Sequence, residues 1–522
     1  MEAPAFNRRL AILLAMAMFV LVVDTSLMNV SIAAVVEDVD ATVSGVQAAI
    51  ALEALVSAAF ILIGGKVADL IGRKRAYLLG LGAYGVGALA MTLAQSLAPI
   101  IVLWAVVGGI GAALLLPGMQ ALIHGNFSGP AQKRVYALVG ASAAIAAAVG
   151  PLIGGFLTTA LSWRVGFLME SLIIVVVLSG AGLIKDVPYT GPRHIDLLGA
   201  VLSVLGMGGL VLGILVWQEG GEAVGALIAV GLVGLGSLAW WLRRRKRVGR
   251  PALVDPGLFS SPQFRLGISG QMLQQISLGG AMIALPIYLQ MVLEYSALEA
   301  GLSLAPLSLS MFGVSVLAGR KAAERNPSSI IRWGFVLLLA GLVSVLVVVP
   351  RADSGWALAP ALIVAGSGLG LLVSQLNNYT LAPVEAERVS EAAAVNSAAG
   401  SFGLSFGLAF AGAIMLAALS VLFTTLAEDS DVLSTAQQEQ VAQVLEDDAQ
   451  VMSNSGLEQR LADEPAATSE EIVRINDEAR PRALQIGLLV PVLASVAGLL
   501  VSLRMRRLPV LRPQAALEDL GL

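Results

Sequence analysis

Cysteine is absent from the chain, which excludes disulfides, thiolate chemistry and cysteine-based metal sites. Histidine occurs only at His124 and His194, too far apart in sequence to suggest a metal pair. No G-x-x-x-x-G-K-[ST] loop is present, so ATP is not the expected source of energy. Charge is scarce as well. Only 13% of residues are charged, against about a quarter in an ordinary soluble domain. Apolar sequence takes the place of these residues: 57% of the 522 positions are hydrophobic, and the mean hydropathy is +0.83. A soluble core cannot absorb so much apolar chain, because large globular chains divide into domains with polar surfaces. Repeated apolar stretches of about 20 residues are long enough to cross a bilayer as helices. The composition therefore describes an all-α polytopic membrane protein, not a soluble enzyme.

Hydropathy places spans near 10–36, 44–65, 77–96, 99–123, 135–160, 164–184, 196–217 and 223–242. Six more follow near 266–291, 299–319, 330–350, 357–381, 394–424 and 483–504, fourteen in all. The opening MEAPAFNRRLAILLAMAMFVLVV has the basic start and apolar run of a signal peptide. The run continues past Asp24 to about Val36 without a clear cleavage site, so an uncleaved first span is expected.

Alternate connections are basic: Arg8 and Arg9; Lys66, Arg73, Lys74 and Arg75; Lys133 and Arg134; RRRKR at 243–247; Arg504, Arg506 and Arg507. The intervening ones are acidic or neutral, such as Glu37, Asp38 and Asp40, or Glu219 and Glu222. The positive-inside rule puts the basic set, and with it both termini, in the cytoplasm, in a multi-pass protein of the plasma membrane. The RRRKR run reads as a topology anchor and not as a nucleic-acid site.

One connection is long. Residues 425–482 carry 14 acidic and 4 basic side chains and belong outside. Val441, Val444, Leu445, Val451 and Met452 recur at helical spacing, and TSEE (468–471) has the form of a capping box opening a second helix. A small helical hairpin over the outer mouth is expected.

GRKAAERN (319–326) aligns with GKVADLIG (65–72), Ala323 standing where Asp69 does. This worn repeat makes spans 1–6 and 9–14 two related halves, and transporters built this way hold substrate at the interface of their repeats. The corresponding boundaries are 1–185 for a first six-helix bundle, 186–265 for a two-helix insert with its basic loop, 266–505 for a second bundle, and 506–522 for a tail.

Several motifs then converge on one family. GGKVADLIGRKR (64–75) resembles the G-x-x-x-D-x-x-G-[RK]-[RK] loop of the major facilitator superfamily, matched at Gly65, Asp69, Gly72, Arg73 and Lys74. AVGPLIGG (148–155) is similar to the G-P-x-x-G-G antiporter signature, with Gly150, Pro151, Gly154 and Gly155. VVDTSLMNVSI (22–32), GGIGAALLLP (108–117) and SWRVGFL (162–168) resemble motifs of the fourteen-span drug:proton antiporter branch. The resemblance implies the major facilitator fold, two six-helix bundles plus two inserted helices. It also implies alternating access without a cofactor, driven by the proton gradient. The 64–75 loop would latch the halves on the cytoplasmic side, and the glycine–proline run would act as a hinge or seal. The family commonly has an arginine in span 4 where this chain has Ala105. The common asparagine of span 6 is Glu170, and an aromatic position of span 2 is Glu53.

Ionisable groups inside a span are costly and mark functional sites. Asp24, Glu53 and Glu170 are the main ones, all in the first half and all between the midplane and the outer boundary; no lysine or arginine is expected deep in any span. Burial and a neighbouring carboxylate favour protonation of such acids, so Asp24 and Glu53 are candidates to exchange protons against a lipophilic cation. Gln271, Gln274 and Gln275 share one face of span 9, and Asn377 and Asn378 add amides in span 12. These are candidate cavity groups, with hydrogen bonding between helices as the competing role. The expected function is secondary active export of hydrophobic, cationic drugs or other small molecules by proton antiport. The expected partners are a small-molecule substrate and the lipid bilayer, with no nucleic acid and a monomer as the working unit. Export of one specific lipid or metabolite is the alternative within transport, and a non-transporting sensor or assembly factor the alternative outside it.

Overall fold

The computed structural model describes residues 7–127, 129–186, 196–218, 221–320, 326–352, 354–385, 388–430, 432–433, 438 and 465–508. Among these residues all regular structure is helical, and fourteen helices are long and apolar enough to cross a membrane. In chain order they are spans 1 to 8, Arg8–Val30, Val43–Ile71, Arg73–Leu93, Leu97–Ile123, Arg134–Ala160, Trp163–Leu183, Leu197–Gln218 and Val224–Arg247. Spans 9 to 14 are Pro262–Val292, Ala297–Ala318, Pro327–Arg351, Gly355–Leu381, Glu391–Glu428 and Ala467–Met505. Leu79, Leu93, Leu161, Leu172, Val175 and Val233 are among the large apolar side chains left exposed. Such coverage is untenable in water and suits acyl chains.

Polar residues start the helices. The side chains of Asn7, Thr42, Ser162, Ser261 and Asn326 accept hydrogen bonds from backbone N–H groups of the first turns of spans 1, 2, 6, 9 and 11, satisfying donors that have no partner within the helix. Proline follows the cap in spans 9 and 11, where its missing N–H costs nothing. Span 2 ends at Gly72, whose φ of +101° suits a residue without a Cβ.

Two helices differ from expectation in length. Span 1 stops at Val30 and not near 36: Ser31 turns its hydroxyl onto the Leu27 carbonyl and the Thr158 hydroxyl of span 5, and a separate short helix, Ile32–Asp38, follows. The helices of spans 13 and 14, Val389–Glu428 and Ala466–Met505, have 40 residues each. At 1.5 Å per residue each is about 60 Å long, roughly twice the hydrocarbon thickness. Their projecting ends are tied by Ser430, whose hydroxyl donates to Glu471 at 2.6 Å. Thr468 therefore lies inside a helix capped at Pro465, and TSEE does not open a separate one. The periodic residues 441–452, the repeat at 321–325 and His194 lie outside the described residues.

Small residues set the packing. Span 5 presses on span 1 where a Cβ on Gly150 would meet Ser26 and one on Gly154 would meet Leu27. It presses on span 10 where Gly155 faces Ala297 and Gly301 faces the Pro151 carbonyl. Spans 7 and 8 pair through Gly206, Gly209, Gly231 and Gly234, an interface that excludes all but the smallest side chains. Span 7 also touches spans 2 and 13, with Gln218 donating to the Ala409 carbonyl at 2.9 Å.

The two faces of the protein differ. On the face of the acidic connections the first and second sets of helices meet directly. Ala33 N–H donates to Gln290 Oε1 at 3.4 Å, and Leu298 N–H donates to Thr159 Oγ1 at 3.0 Å. Toward the basic face a cavity of about 190 Å³ opens between spans 2, 3, 4 and 13 and the connector after span 8. Lys66, Asp69, Arg73, Glu391 and Leu253 line it.

Candidate functional site

Asp24, Glu53 and Glu170 come from three different helices and converge. Counted from the helix ends on the acidic face, they lie about 9, 15 and 10 Å in. Asp24 is shallower than the longer span 1 implied, because the helix breaks at Ser31. Asp24 and Glu170 are fully buried, and Glu53 retains 9% exposure. Span 1 packs against span 6 and touches span 2, which sets Glu170 and Glu53 close enough to Asp24 to feel its charge.

Asp24 has two neutral donors. The Tyr84 hydroxyl of span 3 donates to Oδ2, and the Trp104 indole N–H of span 4 lies 3.1 Å from both oxygens. Trp104 precedes Ala105, the position where the family resemblance leads one to expect arginine. It sits in a nine-residue π-helical stretch, Ile100–Gly108, a local widening often found at functional sites. Neither aromatic stands out in the sequence, where a charge would be the expected balance for the acids. The available signal was a polar-tipped aromatic beside the missing arginine.

The glycine motif of span 4 places these groups. A Cβ on Gly109 would strike the Glu53 carbonyl, and one on Gly111 the Tyr84 backbone. Close approach at these two points brings spans 2 and 3 against span 4. Span 6 is fixed at its start, where Trp163 Nε1–H donates to Asp38 at 2.9 Å and Arg164 pairs with the same carboxylate and the Ala94 carbonyl. Trp104 and Phe167 then pack edge to face with ring centroids 6.3 Å apart, and Glu170 follows one turn later.

The other candidates do not join this centre. Gln274 is buried and Gln271 and Gln275 are partly buried, all on span 9, where Gln271 and Gln275 adjoin Gly400 of span 13. Asn377 accepts from Asn396 Nδ2 at 3.2 Å, a contact between helices, and Asn378 is exposed. The 64–75 loop lies at the basic face. Asp69 and Arg73 pair at 3.7 Å, and Lys74 N–H donates at 3.1 Å to Asp186 beyond span 6.

Arg480, which hydropathy places in the connection before span 14, belongs to the helix itself. Span 14 starts earlier than 483 and carries this residue inward to 7% exposure. Its guanidinium donates to the Asn476 side chain and the Met291 carbonyl, each at 2.8 Å. Span 14 does not contribute to the acidic centre.

Near the basic face, buried Asp196 accepts from Trp241 Nε1–H at 2.9 Å and from Leu253 N–H at 3.2 Å, with Arg245 at 3.6 Å. Asp255 lies against Arg388 at 2.6 Å and Lys246 at 3.5 Å. Partial burial works against its charge, but the Gly257 N–H and these two cations together hold its carboxyl below the usual aspartate value. Among the described residues no cluster of three or more metal-ligating side chains occurs.

Fourteen membrane helices, glycine-mediated approach of two helix sets and a buried acidic centre between spans define a membrane transporter. Residues 14–408 match the family model of the Major Facilitator Superfamily, and the chain belongs to that family. It is 27% identical over 502 residues to the multidrug efflux pump LfrA of Mycolicibacterium smegmatis, covering 93% of this chain and 94% of that one. It is 30% identical over 395 residues to the puromycin resistance protein Pur8 of Streptomyces alboniger, covering 74% and 77%. A bacterial homolog of the human lysosomal transporter Spinster, solved in an inward-facing and unoccupied conformation, superimposes with a TM-score of 0.63 at 14% identity over 96% of this chain and 98% of that chain. At that identity the similarity concerns the fold.

Proposed function

We propose that the chain exports hydrophobic, cationic small molecules across the plasma membrane in exchange for protons, by alternating access. The observation that carries this reading is the convergence of Asp24, Glu53 and Glu170 with no lysine or arginine among their described partners. A buried carboxyl group without a fixed counter-ion needs a proton or a mobile cation. Alternation between the two is the chemistry of an antiporter. LfrA and Pur8, by their names a multidrug efflux pump and a resistance protein, support export.

In this reading the basic face is cytoplasmic, with both termini on that side. The 190 Å³ cavity belongs to the route from the cytoplasm, and the contacts of Ala33 with Gln290 and of Gly301 with Pro151 close the outer side. The glycine–proline run of span 5 is then the hinge and proton seal between spans 1 and 10. Lys66, Asp69 and Arg73 face Glu391 across the cytoplasmic cavity, where the halves part and rejoin.

The test is efflux of a lipophilic cation from everted vesicles or proteoliposomes with an imposed proton gradient. Asp24→Asn and Glu53→Gln should each abolish gradient-driven transport while leaving the protein in the membrane. Unchanged coupling in both variants would remove the proposal. Equal transport with and without a protonophore would remove proton antiport while leaving export.

A further inference from the structure

Residues 248–261 join span 8 to span 9 and carry the chain from the inserted pair into the second half. Gly249 sets the turn. Its φ of +66° lets its own N–H and that of Arg250 fold back onto the Lys246 and Arg245 carbonyls. The buried side chains that follow are apolar. Leu253, Val254 and Leu258 form one cluster with Phe264 of span 9 and Ala392 and Val395 of span 13, and Leu62 and Ile63 of span 2 pack against it. A single connector thus touches both halves of the protein.

The polar contacts described for it run to the insert and to the second half. Leu253 N–H donates at 3.2 Å to Asp196 before span 7, which also accepts from Trp241 of span 8. Asp255 pairs with Lys246 of span 8 at 3.5 Å and with Arg388, at the start of the span 13 helix, at 2.6 Å. Its N–H donates at 2.7 Å to Glu391 of span 13. At the acidic face Gln218 of span 7 donates to Ala409 of the same span 13. The inserted pair is therefore tied to the second half at both faces, and the connector is one of the ties. Toward the first half the connector presents hydrocarbon. Apolar contact is non-directional, so this seam can part without breaking a described hydrogen bond.

The seam borders the cytoplasmic cavity. Leu253 and Val254 line it together with Leu62, Lys66, Asp69 and Arg73 of the first half. Its volume is about 190 Å³, whereas pockets for drug-sized ligands hold about 300–1,000 Å³. The cavity must widen to pass such a molecule. We infer that residues 250–258 are a strap that gates the cytoplasmic side: Asp255 fixes it to span 13 and the insert, and Leu253 and Val254 seal it against Leu62 and Ile63 of span 2. The strap withdraws with the second half, and spans 7 and 8 hold one end of it. Its part in the transport cycle rests on the export reading; its attachment to the second half does not.

The first test is double electron–electron resonance on the full chain in lipid nanodiscs, with spin labels on pairs of introduced cysteines. Pro251 on the strap, Arg75 at the start of span 3 and Glu385 before span 13 are all exposed. Pro251→Cys with Arg75→Cys should give two distance populations, and Pro251→Cys with Glu385→Cys a single one. One population for the first pair, or two for the second, overturns the strap. Transport is the second readout, because Leu62, Val254 and Ala394 all line the cavity. Joining Leu62→Cys to Val254→Cys with a short, reducible bifunctional thiol reagent should lower tetraphenylphosphonium efflux from proteoliposomes about tenfold or more, and reductant should restore it. Joining Ala394→Cys to Val254→Cys should leave efflux within about twofold of the unlinked variant. Undiminished efflux in the first pair, or equal loss in both, overturns the strap. Absence of tetraphenylphosphonium efflux from the cysteine-free parent overturns the cation-export reading, and the distances then decide the strap by themselves. They also decide it if a cross-linking variant fails to assemble, since their labels sit on the surface.

Discussion

At the residue scale the centre depends on neutral donors as much as on acids. Trp104→Phe keeps the packing against Phe167 and removes the indole N–H on Asp24, while Tyr84→Phe removes the hydroxyl. Polar contacts between membrane helices are worth about 1 kcal/mol each, up to about 2. Each variant should therefore lower unfolding stability by about that amount, measured by thermal denaturation in detergent. The double variant should lose more than the sum, because Asp24 is then buried with neither of these donors. If both single variants were as stable as the parent, the two contacts would not be holding Asp24.

At the scale of elements, helix contacts without side chains between them are the most sensitive points. A Cβ on Gly301 would strike the Pro151 carbonyl oxygen, which belongs to backbone and cannot swing away. Gly301→Val should force spans 5 and 10 apart, costing about 1–3 kcal/mol or more. It should also block closure of the acidic face, read as a lower melting temperature and raised accessibility of a cysteine placed at Gln290. Gly313, with open space around it, is the control: Gly313→Ala should behave as the parent.

The connector between spans 8 and 9 obeys electrostatics of another kind. Asp255 is held below its ordinary value of 3.8 by the Gly257 N–H, Arg388 and Lys246, acting against partial burial. A group whose folded value is depressed stabilises the fold above its unfolded value, and the contribution is lost as pH falls through the folded value. Its half-exposed setting limits the effect to about 1 kcal/mol or less. Asp255→Asn should thus destabilise slightly at neutral pH, and the difference from the parent should disappear in acid below 3.8. A difference that grew in acid would contradict the sign.

For the whole molecule, the absence of cysteine makes orientation directly measurable, since any introduced thiol is the only one. Arg247 at the end of span 8 and Glu470 at the start of span 14 are both exposed and lie on opposite faces. Arg247→Cys should resist a membrane-impermeant maleimide in intact cells and react after permeabilisation, whereas Glu470→Cys should react in intact cells. The reverse pattern would invert the topology. The 40-residue helices of spans 13 and 14 predict that Glu470 lies well clear of the bilayer and labels rapidly.

The number of spans and the family were legible in the sequence because they rest on local quantities. Runs of apolar residues report helix after helix against a fixed bilayer thickness, basic residues accumulate at alternate connections, and the motifs are contiguous. The three acids were legible too, as charges where charge is expensive. The remainder was a matter of contact between distant segments. Sequence could mark the loss of arginine at Ala105, but only packing shows Trp104 and Tyr84 taking its place on Asp24. It could identify the glycines at 109, 111 and 155, but not which backbone each one meets. Nor could it place Arg480, because hydropathy assigned that residue to an acidic loop while the helix carries it into the packed interior. Composition alone determines that this chain lives in a membrane as a bundle of helices, since solvation energy is a sum over residues. Which donors reach Asp24 and how completely each carboxyl is enclosed is decided by tertiary structure, because hydrogen bonds depend on positions that no single helix determines.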